Sequence, residues 1–580
     1  MVLKAVATPN ASSITNGTLA TSSGGTGATS LSTSIVRRLN SYGAGQIVSQ
    51  CDLNAGTGLS NGTDTQRTYR IPFYFPQYTY DLKVVFPNYG ISTALVQAGP
   101  GNAITVNAAL EVGSTYIPMT FSGSSAVVIN NNSEVISDVI PYDLPAATTA
   151  YVRVTVTVSS GQKWPLNAQG TTTWSYGNNA VDSANGTGAL ANSGSGSNCY
   201  NPVAILGATY PKTSAAIGLF GDSIMAGSGD VTPQNSTYTS QNYGFGVRGV
   251  GGYSATPTLN YAQLAVAGST LAESLVYSNA PALQRHVSSL EYAITEWGSN
   301  DINNQTLATL QANLLLHWNR FASRGIPVYQ TTYFPRTTST DKFVTTTNQT
   351  PVTTTISGAT NASPIQITTS SNHYLTTGQT TTISGVTGNT AANGTFVVTV
   401  TGATTFTLNG STGNGSYVSG GGVQVYETNR LALNAWIRTV PAPLSGYIET
   451  ANTVEANSSN VLTQNGGRWW VQQTSPAVSG TASGAGGTTY LNDTTKSWTT
   501  NQWIGYIIII TGGTGAGSVG TISANTATQI ISYNLGVATD ATSTYIIQQL
   551  PTIDGTHPAP TGHQLAAVPV ASLVSTFTGL

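Results

Sequence analysis

Charge is scarce in this chain. Lys and Arg number 19, Asp and Glu 21, and charged residues are 7% of the 580 positions, against roughly 25% in ordinary globular proteins. The formal net charge of -2 leaves no basic footprint for nucleic acid or an anionic membrane. The disordered class is excluded too, because it couples low hydrophobicity to high net charge. Cysteine is nearly absent: Cys51 and Cys199 stand alone. They could pair, but one bridge is no disulfide framework, and no zinc-binding spacing occurs. No apolar run approaches the ~18–20 residues of a membrane span. Tyr506 to Ile510, one of the longest, is strand-sized. Met1 to Pro9 hold no sustained apolar segment, so no secretory signal is visible.

What remains is 39% apolar residues, 63 glycines and abundant Thr, Ser and Asn, the composition of β-rich domains with neutral surfaces. Length suggests about three to five units. Residues 1–35, Ser/Thr/Gly/Ala-rich, read as a flexible leader or attachment point. Residues 36–205 read as a β-sandwich, jelly-roll-like, built from short strands such as Tyr69 to Phe75, Tyr80 to Phe86, Ala109 to Phe121 and Ser125 to Val139. Val152, Val154, Val156 and Val158 alternate with Arg153, Thr155 and Thr157, which predicts one buried face. The stretch 176–198 reads as a long loop.

At about 214 the pattern changes. Ala215 to Phe220 is a continuous apolar run, as expected of a parallel strand buried on both faces. Leu307, Leu310, Leu314, Trp318 and Phe321 recur at helical steps, end at Gly325 and lead into the strand Ile326 to Tyr329. Helix–strand alternation of this kind predicts a parallel α/β sheet. The α/β parts are 214–344, 426–471 and 550–580. Two Thr/Gly/Ser-rich stretches, 345–425 and 472–549, interrupt them and read as inserted β-domains; the first repeats Thr-Thr-Thr-Ile-Ser-Gly at 353–358 and 380–385. Without them about 208 residues remain, the size of a single α/β domain.

Four motifs fall in the α/β part: Gly221-Asp222-Ser223, Ala265-Val266-Ala267-Gly268-Ser269, Gly298-Ser299-Asn300-Asp301 and Asp554-Gly555-Thr556-His557-Pro558. A serine at the carboxyl end of a buried parallel strand sits where open α/β sheets bind ligands. Its hydroxyl is a weak nucleophile and needs a base, which His557 can be. Asp554, three residues earlier across a Gly-containing turn, can hold the imidazole tautomer. Ser223 N–H, Gly268 N–H and the Asn300 side-chain amide could meet a developing oxyanion.

At these residues the chain resembles the SGNH hydrolases, or GDSL-type esterases and lipases. The family is named for Ser, Gly, Asn and His in four blocks, matched here by Ser223, Gly268, Asn300 and His557; its triad aspartate matches Asp554. The resemblance implies a three-layer α/β/α fold and ester hydrolysis through an acyl-serine, with no metal or organic cofactor. Ile224 stands where the family has leucine, and Gly249, Gly251 and Gly252 rival Gly268 in the loosest block. The bland reading of Ser223, and of Asn300 and Asp301, is a helix cap or turn. His563, at the start of a final helix, reads as a cap; His286 and His317 read as surface residues, and Asp222 as structural. Trp469 and Trp470 are candidates for a sugar-stacking platform.

Both insertions leave from the catalytic face, where loops set specificity. They resemble the Thr/Gly-rich β-modules of bacteriophage tail and other virion proteins, as at Thr382 to Asn389 and Ser497 to Trp503. The expected function is that of a serine esterase removing O-acetyl groups from carbohydrate, extracellular or virion-associated. The expected partner is an acetylated polysaccharide, with no nucleic acid and no membrane span, and a homo-oligomer would suit the virion setting. A lipase or arylesterase for small or lipid esters is the second reading, and a non-catalytic carbohydrate-binding or structural fibre protein the third.

Overall fold

Every residue of the Ala216–Phe220 strand is buried, and its alternation separates two apolar cores. Ala216 and Phe220 point into one, Ile217 and Leu219 into the other. It is central in a six-stranded, all-parallel sheet ordered Gly446–Ile448, Val328–Thr331, Tyr292–Thr295, Ala216–Phe220, Asn260–Gln263, Gln50–Asp52. Leu310, Leu314, Trp318 and Phe321 of the helix Leu307–Ala322, with Leu433 and Ile437 of Val425–Arg438, cover one face. Phe245 and Val247 of Gly244–Gly249, with Ala566 and Val570 of Pro560–Val574, cover the other. A purely parallel sheet is stable because both faces are shielded in this way.

The computed structural model describes residues 14–15, 18–19, 45–52, 58–166, 174–178, 186–190, 192–194, 199–210, 215–230, 244–251, 258–276, 281–472, 475–532 and 535–577. Across them the chain is mostly β, with few helices and one parallel sheet. The leader read at 1–35 lies outside the described residues except for 14–15 and 18–19. No helix among the described residues is long and apolar enough to cross a membrane.

The N-terminal region holds a seven-stranded antiparallel sheet around Thr148–Thr157, Gln66–Phe75 and Ile104–Val112, and a four-stranded one around Tyr78–Pro87 and Ala204–Tyr210. Their apolar sides share one core. The structure departs from the sequence reading in three ways here. The strand holding Val152 to Val156 is buried on both faces, with Arg153 and Thr155 exposed by only 3% and 2%. Glu111 accepts hydrogen bonds from Arg70 and Arg153, and the 186–190 stretch closes over them, Gly188 O accepting from Arg153 at 2.7 Å. The supposed loop 176–198 contributes the strands Trp174–Asn178 and Asn192–Gly194 to that sheet. Finally Gln50–Asp52, placed by sequence in the sandwich, is the edge strand of the parallel sheet. Three residues are too few to carry a legible strand pattern.

The strands between Thr354 and Val423 close into a barrel around Ile356, Ile365, Ile367, Val398, Phe406 and Leu408. The repeated Thr-Thr-Thr-Ile-Ser-Gly lands on Thr354–Ala359 and Thr380–Ser384, which flank Gly422–Val423 on either side. Between Val478 and Gln548 lies a six-stranded antiparallel sheet. Its Ile507 and Ile509 pack with Phe343, Val471, Leu550 and Ala559, close to the C-terminal motif. Cys51 and Cys199 are both buried, and neither is in a disulfide.

Candidate active site

Ser223 follows the central strand at its carboxyl end, on a turn held by Asp222 Oδ1, which accepts from Ile224 N–H at 2.9 Å. Gly221 must be glycine, since a β-carbon there would lie 2.5 Å from Met225 Cβ and 2.7 Å from Glu296 Oε2. Ser223 Oγ is 2.9 Å from His557 Nε2, and His557 Nδ1 is 2.6 Å from Asp554 Oδ2. Asp554 Oδ1 also accepts from Thr556 N–H at 2.8 Å and His557 N–H at 2.7 Å. Burial alone would raise the Asp554 carboxyl, but the His557 ring and these two N–H groups outweigh it and hold it below its ordinary value. An ionised carboxylate only accepts, so the proton sits on His557 Nδ1 and Nε2 is left to take the Ser223 proton.

The turn carrying Asp554 and His557 is clamped from outside. Gly555 O accepts from Trp469 Nε1 at 2.9 Å and from Thr337 N–H at 3.0 Å. Gly555 has φ +80°, and a β-carbon there would meet Thr337 O and Phe343 Cζ. Trp469 is therefore no sugar platform: it is fully buried, and its indole fixes the turn that carries Asp554 and His557.

Gly268 and Asn300 lie on the loops that follow the two strands flanking Ala216–Phe220, and Val266 N–H donates to Gly221 O at 2.9 Å. Among the described residues, neither Ser223 N–H nor Gly268 N–H has an acceptor. Asn300 Nδ2 donates one hydrogen to Ser269 O at 3.1 Å, leaving the second for a ligand. The two loops are tied together. Asp301 Oδ2 accepts from Leu271 N–H at 2.8 Å, and Trp297 Nε1 donates to Ser269 Oγ at 2.8 Å. Burial pushes the Asp301 carboxyl up to about 6 despite the Leu271 and Ala272 N–H groups that donate to it. Asp301 thus caps the short helix after Gly268, as a capping role predicts, but across space. Of the rival glycines, Gly249 packs against Val570 on the far helix layer and Gly252 lies outside the described residues.

Three histidines differ from their sequence reading. His563 does not cap its own helix but is fully buried, its Nδ1 accepting from Phe245 N–H at 3.0 Å in the first turn of Gly244–Gly249 and its Nε2 donating to Ser228 O at 3.1 Å. Burial pushes its pKa down to about 4, so it is neutral with both nitrogens engaged, and does not compete as a base. His317 is buried against Trp297 and Phe321 and bonded to Thr295 Oγ1 at 2.9 Å. His286 is buried beside Glu134, at a cavity of about 300 Å³ between the N-terminal sheet and the helix Pro281–Val287, away from Ser223. Next to Ser223, Glu296 Oε2 accepts from Asp222 N–H at 3.1 Å, and burial raises the Glu296 carboxyl well above its ordinary value.

Sequence reasoning passed over Arg336. Its Nη2 donates to Asn300 Oδ1 at 2.9 Å and to Ser299 Oγ at 3.1 Å, and its guanidinium lies 4.9 Å from the Tyr426 ring centre. The only sequence signal was a rare cation just after a parallel strand. By fixing and polarising the Asn300 amide it is a positioning residue. A charge-assisted hydrogen bond contributes about 1.5–3 kcal/mol, so Arg336→Ala is expected to lower kcat for an ester by roughly 10–100-fold. KM should be unchanged, and Arg336→Lys should restore part of the rate; a rise confined to KM would contradict this role.

No protein-family model matches the sequence, and no curated protein matches it. Among solved structures, the acetylxylan esterase Axe2 from Geobacillus stearothermophilus is 16% identical over 21% of this chain and 63% of that one, with a TM-score of 0.17. A family two carbohydrate esterase from Clostridium thermocellum in complex with cellohexaose is 11% identical over 48% and 73%, with a TM-score of 0.16. A carbohydrate esterase family 2 enzyme plus carbohydrate binding domain from Corynascus thermopiles (Myceliophthora fergusii) is 12% identical over 47% and 74%, with a TM-score of 0.19. The chain spans about three fifths of the length of Axe2.

Proposed function

We propose that this chain is a serine esterase of the SGNH type, hydrolysing esters through an acyl-serine, with O-acetylated carbohydrate as its substrate. The observation that carries the reading is the unbroken chain Ser223 Oγ, His557 Nε2, His557 Nδ1, Asp554 Oδ2, at 2.9 and 2.6 Å, beside two unengaged backbone N–H groups. His557 takes the Ser223 proton as Oγ attacks the ester carbonyl. The oxyanion is met by Ser223 N–H, Gly268 N–H and Asn300 Nδ2, and His557 gives the proton to the leaving alcohol. Water, deprotonated by His557, then releases the acid. Asp554 stabilises the imidazolium and remains a carboxylate throughout.

The setting of the site supports this substrate class. His557 and Asp554 side chains are 27% and 46% exposed, so the alcohol side opens to solvent and suits a hydrated, polar alcohol better than a lipid chain. In a nearly charge-free surface of Thr, Asn and Ser, that alcohol is neutral. The two inserted β units are read as flanking the cleft for a polymer, and the N-terminal β-sandwich as its companion module, in an extracellular or virion-associated protein. Acetate release from an acetylated polysaccharide and from p-nitrophenyl acetate tests this directly, with a fluorophosphonate probe mapped by peptide mass spectrometry. Turnover of both esters, with the adduct on Ser223, is the expected result. A folded protein that turns over neither and takes no label would instead be a binding or structural protein.

A further inference from the structure

The N-terminal region packs beside Gly268. Gly90–Ile91 and Gln97–Ala98 form a small antiparallel hairpin whose tip, 92–96, is closed by Leu95 N–H to Ser92 O at 2.9 Å and Ser92 N–H to Val96 O at 3.0 Å. Leu95 adopts φ +53°, a left-handed conformation that a branched residue rarely takes. Its side chain and that of Ile91 are buried in the core that also holds Val266 and Leu271, the apolar residues on either side of Gly268. One core therefore anchors both the hairpin and the Gly268 loop. Thr93 and Ala94 remain exposed at the tip, as do Ala267 and Gly268 opposite them. Thr93 Cβ and Cγ2 lie 3.6 and 3.8 Å from where a β-carbon on Gly268 would stand.

Resting on the esterase reading, we propose that Thr93 closes the acyl end of the site and restricts it to acetyl. The chemistry sets the direction. His557 must protonate the departing oxygen, so the alcohol lies on the His557 side of the carbonyl carbon. With the carbonyl oxygen on Gly268 N–H and Asn300, the acyl substituent points away from His557, toward the Gly268 loop and the threonine facing it. The methyl of an acetyl group fits short of that wall, and longer chains meet Thr93. Specificity for the acyl group is thus supplied by a residue outside the α/β unit.

The test compares p-nitrophenyl acetate and butyrate for wild type, Thr93→Gly and Thr93→Val, each also labelled with the fluorophosphonate. Thr93→Gly is expected to raise the butyrate-to-acetate ratio of kcat/KM by about 10-fold or more. Thr93→Val keeps the shape and should keep the wild-type ratio, which separates a steric wall from a hydroxyl contact. A wild-type ratio in Thr93→Gly that still labels at Ser223 overturns the proposal while leaving the esterase reading intact. A ratio shifted equally by Thr93→Val overturns the steric account. A wild type that neither turns over nor labels fails at the earlier step.

Discussion

Ser223→Ala is expected to lower kcat for an acetate ester by about 10⁶. The nucleophile is lost, and what remains is the oxyanion site and simple binding, together contributing roughly 10³–10⁴ over water. His557→Ala should cost as much, and the double variant no more than either single one, because the two act as one unit through the 2.9 Å contact. Stability should hardly move. Ser223 is partly exposed and its turn is fixed by Asp222 and backbone bonds, so its methyl replacement leaves the fold within about 0.5 kcal/mol. Steady-state kinetics beside a thermal melt check both halves. A residual rate within tenfold of wild type would assign the nucleophile elsewhere.

Asp554→Asn is expected to lower kcat by about 10⁴. The side-chain oxygen can still accept from Thr556 and His557 N–H, at 2.8 and 2.7 Å in the native turn, so the loop should keep its shape. The amide nitrogen then faces His557 Nδ1 and donates to it. That moves the ring proton to Nε2, where it points at Ser223 and blocks proton abstraction. The variant should also carry a pH signature. The Asp554 carboxyl lies below its ordinary value in the folded protein, so its stabilising contribution is complete above about pH 4 and is lost as pH falls through the lowered value. Melting temperatures of wild type and Asp554→Asn should therefore differ near neutrality and converge in acid. A difference that persists unchanged at pH 2 would deny the ionised Asp554 carboxylate a stabilising role.

The parts of the site that sequence exposed are those whose chemistry needs near neighbours in the chain. A serine ending an apolar strand, and an aspartate three residues before a histidine, announce themselves locally, and the structure brings Ser223, His557 and Asp554 into hydrogen-bond reach. Arg336, Trp469 and Thr93 are silent in sequence because each acts on a partner from a distant segment; Trp469 holds a carbonyl 86 residues away. Polar residues misled for a related reason. His286, His317, Arg153 and Thr155 look like surface residues, yet all are buried with polar partners. Burying a polar group is tolerated when its hydrogen bonds are satisfied, and hydropathy cannot see the partner. The long apolar strand and the Leu307–Ala322 helix, whose burial depends only on their own periodicity, were legible throughout.

The edge strand Gln50–Asp52 and the barrel give two parts of the molecule opposite tolerance to recombination. The barrel leaves and rejoins the chain through Thr354 and Val423, which are paired neighbours. Its ends meet, so a lineage could gain, lose or replace it without stretching the host. The N-terminal unit has no such freedom. A recombination junction at 205–214, where the sequence changes character most clearly, would strip a strand from the parallel sheet and the hairpin tip from beside Gly268. It would also expose the unpaired edge of Asn260–Gln263 to association with other chains. A cut at 205–214 therefore costs the sheet a strand, whereas removing the barrel breaks its contacts with the helix Val425–Arg438, such as Gln379 Nε2 to Asn429 Oδ1.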